Sequence, residues 1–401
     1  MKAMVQATVT LAACLTVGLI GPPWHTRPTL AGSSEPKASP TRPDQPETKT
    51  SSSWDQKAAA AYLDRRQDWW SQWPRSQRDH DTFCVSCHTA VPYALSRAAL
   101  RKGLAEQAPS TGEQKLLDSV TKRVRLWNEV APFYSDADRG AYKTVESRGT
   151  ESVLNALILA SHDAQSGYLS HDTVTAFDNM WKEQQRSENK KGAWLWLRFN
   201  NEPWEADDSD YYGATLAAVA IGTAPGDYRA QPEIQSGVTM LREYLNRGSA
   251  SQTPINRVAL LWAAAKMPGL LEAERKKTII AELLEKQQAD GGWSLSSLSG
   301  AWKRSDGTPQ EPKSDGYATG LITFALRQAG VSAEDAQLNR GLAWLAANQD
   351  KTEGSWSAYS LNKNKEHHLS PETALFMNDA ATAYAVLALT QAKNADARVT
   401  Q

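Results

Sequence analysis

The feature of the sequence that most restricts its fold is a pattern that recurs four times along the chain. Each copy has a helical periodicity, then a glutamine, a turn segment and a tryptophan, and GLAWLAANQDKTEGSW is the clearest example. Self-similarity spaced by tens of residues indicates stacked supersecondary units, each too small to bury its own apolar face. The copies occupy residues 61–73, 176–194, 282–293 and 341–356.

Two kinds of helical segment alternate around these copies. One kind is apolar nearly all round and should be buried, whereas the other mixes charged and apolar positions at three-to-four spacing and should be half exposed. The sequence therefore predicts an all-α fold. The first kind covers residues 146–160, 208–222, 256–265, 314–330 and 378–392, and the second covers 113–130, 171–185, 233–246, 271–288 and 334–348.

The glutamine–tryptophan element resembles the QW repeat of squalene–hopene cyclases and related terpenoid cyclases. The alternating helices are similar to the α/α toroid that these cyclases share with protein prenyltransferase β subunits. The resemblance covers residues 55–395 and implies an (α/α)6 barrel of inner and outer helices. In that family the glutamine caps a neighbouring helix end, where backbone groups lack intrahelical partners.

A second motif, TFCVSCHTAVPYAL, places Cys84 and Cys87 three residues apart with His88 directly after. On a helix these three positions share one face, and the CxxCH spacing is typical of covalent c-type haem attachment. The alternatives are a disulfide, a metal site or chance. A CxxC disulfide closes too small a loop to stabilise much, and a zinc site would need two further ligands, although no second CxxC exists.

The haem reading predicts one covalent haem c with His88 as an iron ligand. A second ligand could be Met, His, water or nothing, and the segment that enters the last inner helix offers His367, His368 and Met377. We take His368 as the metal-ligand candidate from that segment. His88 and His368 are thus the predicted metal ligands.

The CxxCH motif also completes the count of inner helices. Residues 87–100 align with residues 317–330, because both contain a threonine followed by an aromatic residue and alanine. The motif therefore stands at the start of the first inner helix, at the mouth of the barrel, and is not an appended cytochrome domain.

The first 54 residues have the layout of an export segment followed by a linker. Lys2 precedes an apolar run over residues 5–20, and small residues follow it, which indicates a signal peptide over 1–31. Residues 32–54 are rich in Pro, Ser and Thr and read as a linker. Resemblance to the cytochrome c family implies haem attachment outside the cytoplasmic membrane, so we predict a periplasmic or secreted protein. An uncleaved anchor or lipidation of Cys14 stays open, and membrane contact is expected through this segment alone.

Acidic and aromatic residues lie at the predicted starts of the inner helices. Glu146 begins the second of these helices, and Asp208, Asp210 and Tyr212 begin the third. Class II terpenoid cyclases carry DxDDT at a helix start, and resemblance makes Asp210 the proton donor, although the third Asp and the Thr are missing here. The alternative is that these acids are ordinary helix caps.

Three functions follow from these patterns. The first is an exported haem c oxidoreductase or electron-transfer protein, whose barrel binds a small organic, isoprenoid-like substrate beside the haem and exchanges electrons with a redox partner. The second is a cyclase- or lyase-like enzyme that uses the mouth acids, and the third is a non-catalytic redox partner. With 44 basic and 45 acidic residues and no basic stripe, the chain is not expected to bind nucleic acid.

Overall fold

The computed structural model describes residues 53–304, 307–361 and 372–399, except for the side chains of Glu188 and of residues 391–399. The predicted signal peptide (1–31), almost all of the predicted linker and His368 lie outside these residues. Helix is the predominant secondary structure of the described chain and strand is confined to a short hairpin and an isolated bridge, which confirms the all-α prediction.

The secondary structure follows the predicted alternation closely. A two-residue hairpin, β1 (Gln77–Arg78) with β2 (Thr82–Phe83), leads into the CxxCH motif. In chain order, the helices are α1 (Gln56–Gln72), α2 (Ala90–Gly103), α3 (Thr111–Arg125), α4 (Asp136–Arg139), α5 (Lys143–Asp163), α6 (His171–Glu183), α7 (Ser209–Thr223), α8 (Gln235–Gly248), α9 (Pro254–Lys266), α10 (Ala273–Glu285), α11 (Gly316–Gln328), α12 (Ala336–Ala347) and α13 (Phe376–Val399).

The buried helices form a closed circuit of contacts. Helix α2 packs on α5, α5 on α7, α7 on α9, α9 on α11, α11 on α13, and α13 again on α2. We call these six the inner helices. The outer helices α1, α3, α6, α8, α10 and α12 precede them one by one along the chain, and each packs against at least one inner helix.

Local sequence explains why the inner helices approach one another closely. Helix α7 is built mainly from alanine and other small or apolar residues, and its side chains are buried from Ser209 to Ile221. At Gly320 of α11, an added Cβ would lie 2.7 Å from the backbone nitrogen of Ala385 in α13. Only glycine permits that approach, so this position sets the spacing between the two helices.

The glutamine of the repeat joins two successive outer helices in three of the four copies. Its Nε2 donates one hydrogen bond to the glycine carbonyl of its own turn and a second to a carbonyl at the start of the next outer helix. The pairs are Gln184 with Gly192 (3.2 Å) and Gly237 (2.9 Å), Gln287 with Gly291 (2.8 Å) and Gln337 (2.7 Å), and Gln349 with Gly354 (3.1 Å) and Asp55 (2.9 Å).

The tryptophan of each of these copies fastens the same turn to the preceding outer helix. Trp194, Trp293 and Trp356 are fully buried. Their Nε1 atoms donate to the carbonyls of Met180 (2.6 Å), Leu283 (2.7 Å) and Leu345 (2.7 Å), respectively.

The first copy, residues 61–73, departs from this arrangement. The amide of Gln67 is buried and makes no hydrogen bond to any residue that the structure describes. Trp70 donates its Nε1–H to the carbonyl of Cys84 at 2.7 Å. In this copy the tryptophan therefore bonds to the CxxCH segment, whereas in the other three copies it bonds to the preceding outer helix.

Candidate functional site

The CxxCH motif lies in the turn between β2 and α2. The prediction that the two cysteines and His88 share one helical face is wrong, because α2 begins at Ala90. The Ser86 hydroxyl accepts the backbone N–H groups of Thr89 (3.2 Å) and Ala90 (3.0 Å). The N-cap of α2 is Thr89, so the Ser86 hydroxyl satisfies the N–H groups of the N-cap and of the first helical residue, and the helix starts after the motif.

Both thiols of the motif are free and buried. Burial raises the pKa of Cys84 to about 12 and that of Cys87 well above its usual value, and the nearby Glu205 carboxyl adds to both shifts. Reactive CxxC pairs instead have a lowered thiol pKa in an electropositive setting. The pair is therefore held as neutral thiols.

The His88 imidazole is held at one nitrogen only. Its Nδ1 lies 2.9 Å from the hydroxyl of Thr89, which itself donates to Oδ2 of Asp379 at 2.7 Å. Because the threonine proton is used on Asp379, Nδ1–H of His88 must be the donor to Thr89. Burial, together with the charge of Arg66, lowers the pKa of His88 to about 3, so the ring is neutral and its Nε2 carries a lone pair.

Aromatic rings surround this imidazole. His88 stacks on Phe376 with ring centroids 3.7 Å apart and meets Trp70 edge-on at 5.1 Å. Trp204 lies 5.6 Å away on another side, and its ring leads on to Tyr317 at 5.8 Å. We call Trp70, Trp204, Tyr317 and Phe376 the aromatic wall.

Tyr212, a predicted site residue, lies beside this wall. It is buried, and burial raises the pKa of its phenol, with further contributions from Tyr384, Tyr317 and Cys87. The structure therefore brings Tyr212 together with the CxxCH motif.

Asp210 and Glu146 are joined to each other by one cation, Arg198. Asp210 pairs with Lys190 and with Arg198, whose Nη2 lies 3.4 Å from Oδ2. Glu146 pairs with Lys143 at 2.6 Å and with the same Arg198 at 3.7 Å. Both carboxylates are buried, and burial without such partners would be costly.

The repeat gives Asp210 a second role. Its Oδ1 accepts the backbone N–H of Trp196 at 2.9 Å, two residues after the repeat tryptophan. Asp315 and Asn378 accept the equivalent N–H groups, those of Leu295 and Ala358, at the starts of α11 and α13. This shared position favours a structural role for Asp210, while its catalytic role stays a prediction.

Asp208 points toward another inner helix. The carboxyl is half-buried, its Oδ2 accepts from Nδ2 of Asn256 in α9 at 3.1 Å, and burial raises its pKa. It makes no side-chain hydrogen bond to the first turn of α7. Asp208 therefore does not share the ion pairs that Arg198 forms with Asp210 and Glu146 among the described residues.

Sequence reasoning missed Glu205, which lies in the turn before α7. Burial raises its pKa to about 7, against a hydrogen bond from Asn201 and the charge of Lys143, which lower it. Its side chain is half-buried. The signal was present, because Glu205 stands inside the polar and aromatic stretch NNEPWEADDSDYYG and directly follows Trp204.

Sequence reasoning also missed the contact of Asp379 with Thr89, since the sequence shows Asp379 only as one of several acids at helix starts.

Across residues 53–304, 307–361 and 372–390, no group of three or more His, Cys, Asp or Glu side chains could hold a metal ion. No helix in the described part of the chain is both long and apolar enough to cross a membrane.

Comparisons with known proteins leave the family open. No family model matches the chain, and no curated protein matches it. Among solved structures, one named as a glycosidase is 13% identical with a TM-score of 0.48, over 84% of this chain and 98% of that chain. Similarity at this level assigns neither a fold family nor an activity.

Proposed function

We propose that the chain is a c-type haem protein in which Cys84 and Cys87 attach one haem and His88 is an axial iron ligand. The observation that carries this proposal is the state of His88. It is neutral, its Nδ1–H donates to Thr89, and its Nε2 keeps a lone pair. The motif also supplies two free thiols, and the aromatic wall surrounds the imidazole. Neutral imidazole with one nitrogen fixed by a hydrogen bond is the form that binds metals.

The contact circuit supports a toroid as the scaffold for this site. Six inner helices packed in sequence, with six outer helices before them, are what an (α/α)6 barrel requires. Three glutamine–tryptophan copies join neighbouring outer helices in one manner, as in a repeat protein whose units pack on their neighbours. Within this proposal, the CxxCH turn occupies the mouth of the barrel.

We propose an oxidoreductase or electron-transfer function for this site. The haem, when bound, supplies one-electron chemistry. The aromatic wall with Tyr212 offers an apolar surface for a small organic, isoprenoid-like substrate. Glu205, half-buried beside the thiols, offers a proton acceptor whose pKa suits neutral pH. Export to the periplasm or beyond, with a redox partner protein, completes the proposal.

One observation favours a second candidate, a cyclase- or lyase-like enzyme. A carboxyl with a raised pKa beside aromatic rings is a general-acid arrangement, and Glu205 has it. Asp210, the residue implied by the cyclase resemblance, already has both oxygens occupied. In this alternative Glu205 would be the acid and the haem would be dispensable for turnover. A third role, as a non-catalytic redox partner, is distinguished from the first by the absence of turnover.

A redox titration of the exported protein tests the proposal. Protein made with a c-type maturation system should show a haem spectrum that converts reversibly between oxidised and reduced forms. His88→Ala should retain the attached haem but lose the spectral signature of imidazole ligation. Protein without any haem absorption would contradict the proposal, and turnover of substrate by haem-free protein would favour the acid-catalysed alternative.

A further inference from the structure

We infer that Thr89 and Asp379 are positioning residues for His88, which together hold its imidazole in the Nδ1–H tautomer and strengthen Nε2 as an electron donor to iron. This inference rests on the proposed haem function, and it assigns a role to two residues outside the CxxCH motif. The evidence is a continuous hydrogen-bonded path that links His88 to α13 and α1.

The path ends on a carboxylate that is fixed from several sides. Oδ1 of Asp379 accepts from Nε of Arg66 at 2.6 Å and from the Tyr62 hydroxyl at 2.9 Å. Oδ2 accepts from Nη2 of Arg66 at 2.9 Å and from the Thr89 hydroxyl at 2.7 Å. With four donors on two oxygens, Asp379 has little freedom to turn away from Thr89.

The direction of each hydrogen bond determines the effect on the ring. Burial raises the pKa of Asp379, whereas the charge of Arg66 and the hydrogen bonds from Arg66, Thr89 and Tyr62 oppose that shift. The bidentate pair with Arg66 leaves both carboxylate oxygens as acceptors, and Oδ2 accepts the Thr89 hydroxyl proton. The threonine oxygen, polarised by this donation, becomes a better acceptor for Nδ1–H, since linked hydrogen bonds in a dry interior strengthen one another. A stronger bond at Nδ1 raises the basicity of Nε2, as carboxylate partners do for metal-bound histidines.

The path contains two opposite charges as well as the hydrogen bonds. Arg66 and Asp379 are both buried and form a bidentate pair, and the charge of Arg66 contributes to the lowered pKa of His88. Removing the threonine hydroxyl alone leaves both charges in place, so it measures the hydrogen-bonded contribution separately from the electrostatic one.

Thr89→Val is the decisive variant, because valine has the shape of threonine, lacks the hydroxyl and leaves Arg66 and Asp379 paired. Thr89→Ser restores a hydroxyl. Thr382→Val is a matched control, since Thr382 is also buried and accepts one backbone N–H, from Trp356 at 3.1 Å, in a different part of the barrel.

Two measurements are made on the full chain. The first is the midpoint potential of the haem-loaded protein. The second is ¹⁵N NMR of labelled histidine in the haem-free Cys84→Ala/Cys87→Ala chain, which reports the tautomer of His88 without any haem.

We expect Thr89→Val to raise the midpoint potential and to abolish the single Nδ1–H tautomer, whereas Thr89→Ser and Thr382→Val behave as the parent. A Thr89→Val protein with the parent's potential and tautomer would overturn the inference. If the parent binds no haem but His88 is a pure Nδ1–H tautomer that Thr89→Val abolishes, the path stands and the haem function fails.

Discussion

At the scale of single residues, Glu205 and Asp210 show that two nearby acids can have different environments, one with ion-pair partners and one largely desolvated. Asp210 is almost wholly buried but lies against Lys190, Arg198 and a backbone N–H. Within the described residues, the Glu205 carboxyl accepts one long hydrogen bond, 3.4 Å from Nδ2 of Asn201, and lies in the field of Lys143. Desolvation is therefore the largest influence on Glu205, and it raises the pKa of this carboxyl to about 7.

Glu205 is predicted to make the haem potential depend on pH around neutrality. As the pH rises through about 7, Glu205 acquires a negative charge beside the proposed haem site. That charge favours the oxidised, more positive iron, so the midpoint potential should fall. Glu205→Gln should flatten this part of the curve, whereas the exposed Glu334→Gln should leave it unchanged. Equal slopes in all three proteins would contradict the assignment.

The same residue makes a prediction that needs no haem. The pKa of Glu205 is higher in the folded protein than its ordinary value of 4.5, so between these values the folded state holds more protons than the unfolded state. Stability linked to Glu205 is then present at low pH and lost as the pH rises towards about 7. Urea unfolding of wild type and Glu205→Gln at a series of pH values measures the free energy of unfolding of each protein. As the pH rises, the wild type should lose stability relative to the variant.

At the scale of elements, the repeated glutamine, glycine and tryptophan act as a lock between outer helices. The glycine is required twice over, because Gly192, Gly291 and Gly354 have positive φ values of 95°, 91° and 83°. An added Cβ at Gly354 would also lie 2.2 Å from the carbonyl oxygen of Ala58 in α1. The turn therefore touches the neighbouring helix with bare backbone.

Gly354→Ala tests this close approach against a matched control. Gly330 has the same φ of 83°, but nothing lies within 4 Å of an added Cβ there. Both alanines carry the strain of the left-handed region, about 1–2 kcal/mol. Gly354→Ala must also displace α1, so chemical denaturation should show a clearly larger loss. Equal losses of stability in the two variants would show that contact between the turn and α1 does not restrict residue 354.

The lock tryptophans should contribute as large buried aromatic residues do. Trp356→Ala should cost about 3–5 kcal/mol, because the ring is fully buried and its Nε1–H satisfies a carbonyl of α12. Trp302 is only half-buried, so Trp302→Ala should cost less. Melting temperatures and urea midpoints of the two variants measure the ranking, and an unchanged melting temperature for Trp356→Ala would refute the lock.

The helices could be predicted from the sequence because burial leaves a pattern in it, periodic in the half-exposed outer helices and continuous in the buried inner ones. An inner helix such as α7 is surrounded by protein, so apolar and small residues occupy nearly every position. The turn at Cys84 to His88 could not be predicted as readily. There Ser86 competes locally for the first N–H groups of α2, and such side-chain bonds leave no periodic signal.

The site was predicted only where its residues are neighbours in the chain. Cys84, Cys87 and His88 form a local motif. The partnership of Thr89 with Asp379 joins positions 290 residues apart, and a single sequence carries no record of that contact. Whether an acid at a helix start is paired, as Asp210 is, or desolvated, as Glu205 is, depends on such distant neighbours.

At the scale of the whole molecule, the circuit of helices closes where the candidate haem site lies. The start of the described chain meets the last repeat copy through Gln349, which bonds both backbone groups of Asp55, and through Trp54, whose ring lies 5.9 Å from that of Trp356. Arg66 of α1 and Asp379 of α13 join the same seam beside His88. Closure of the circuit and shape of the site therefore depend on one set of contacts.

The central claim is that this seam holds one haem, bound through two thioether bonds. The most direct measurement is the intact mass of the denatured protein after expression with a c-type maturation system, compared with Cys84→Ala/Cys87→Ala. We predict that the wild-type chain gains the mass of one haem and that the double variant gains none. A wild-type chain with the mass of the polypeptide alone, or a double variant that keeps the added mass, would contradict the account.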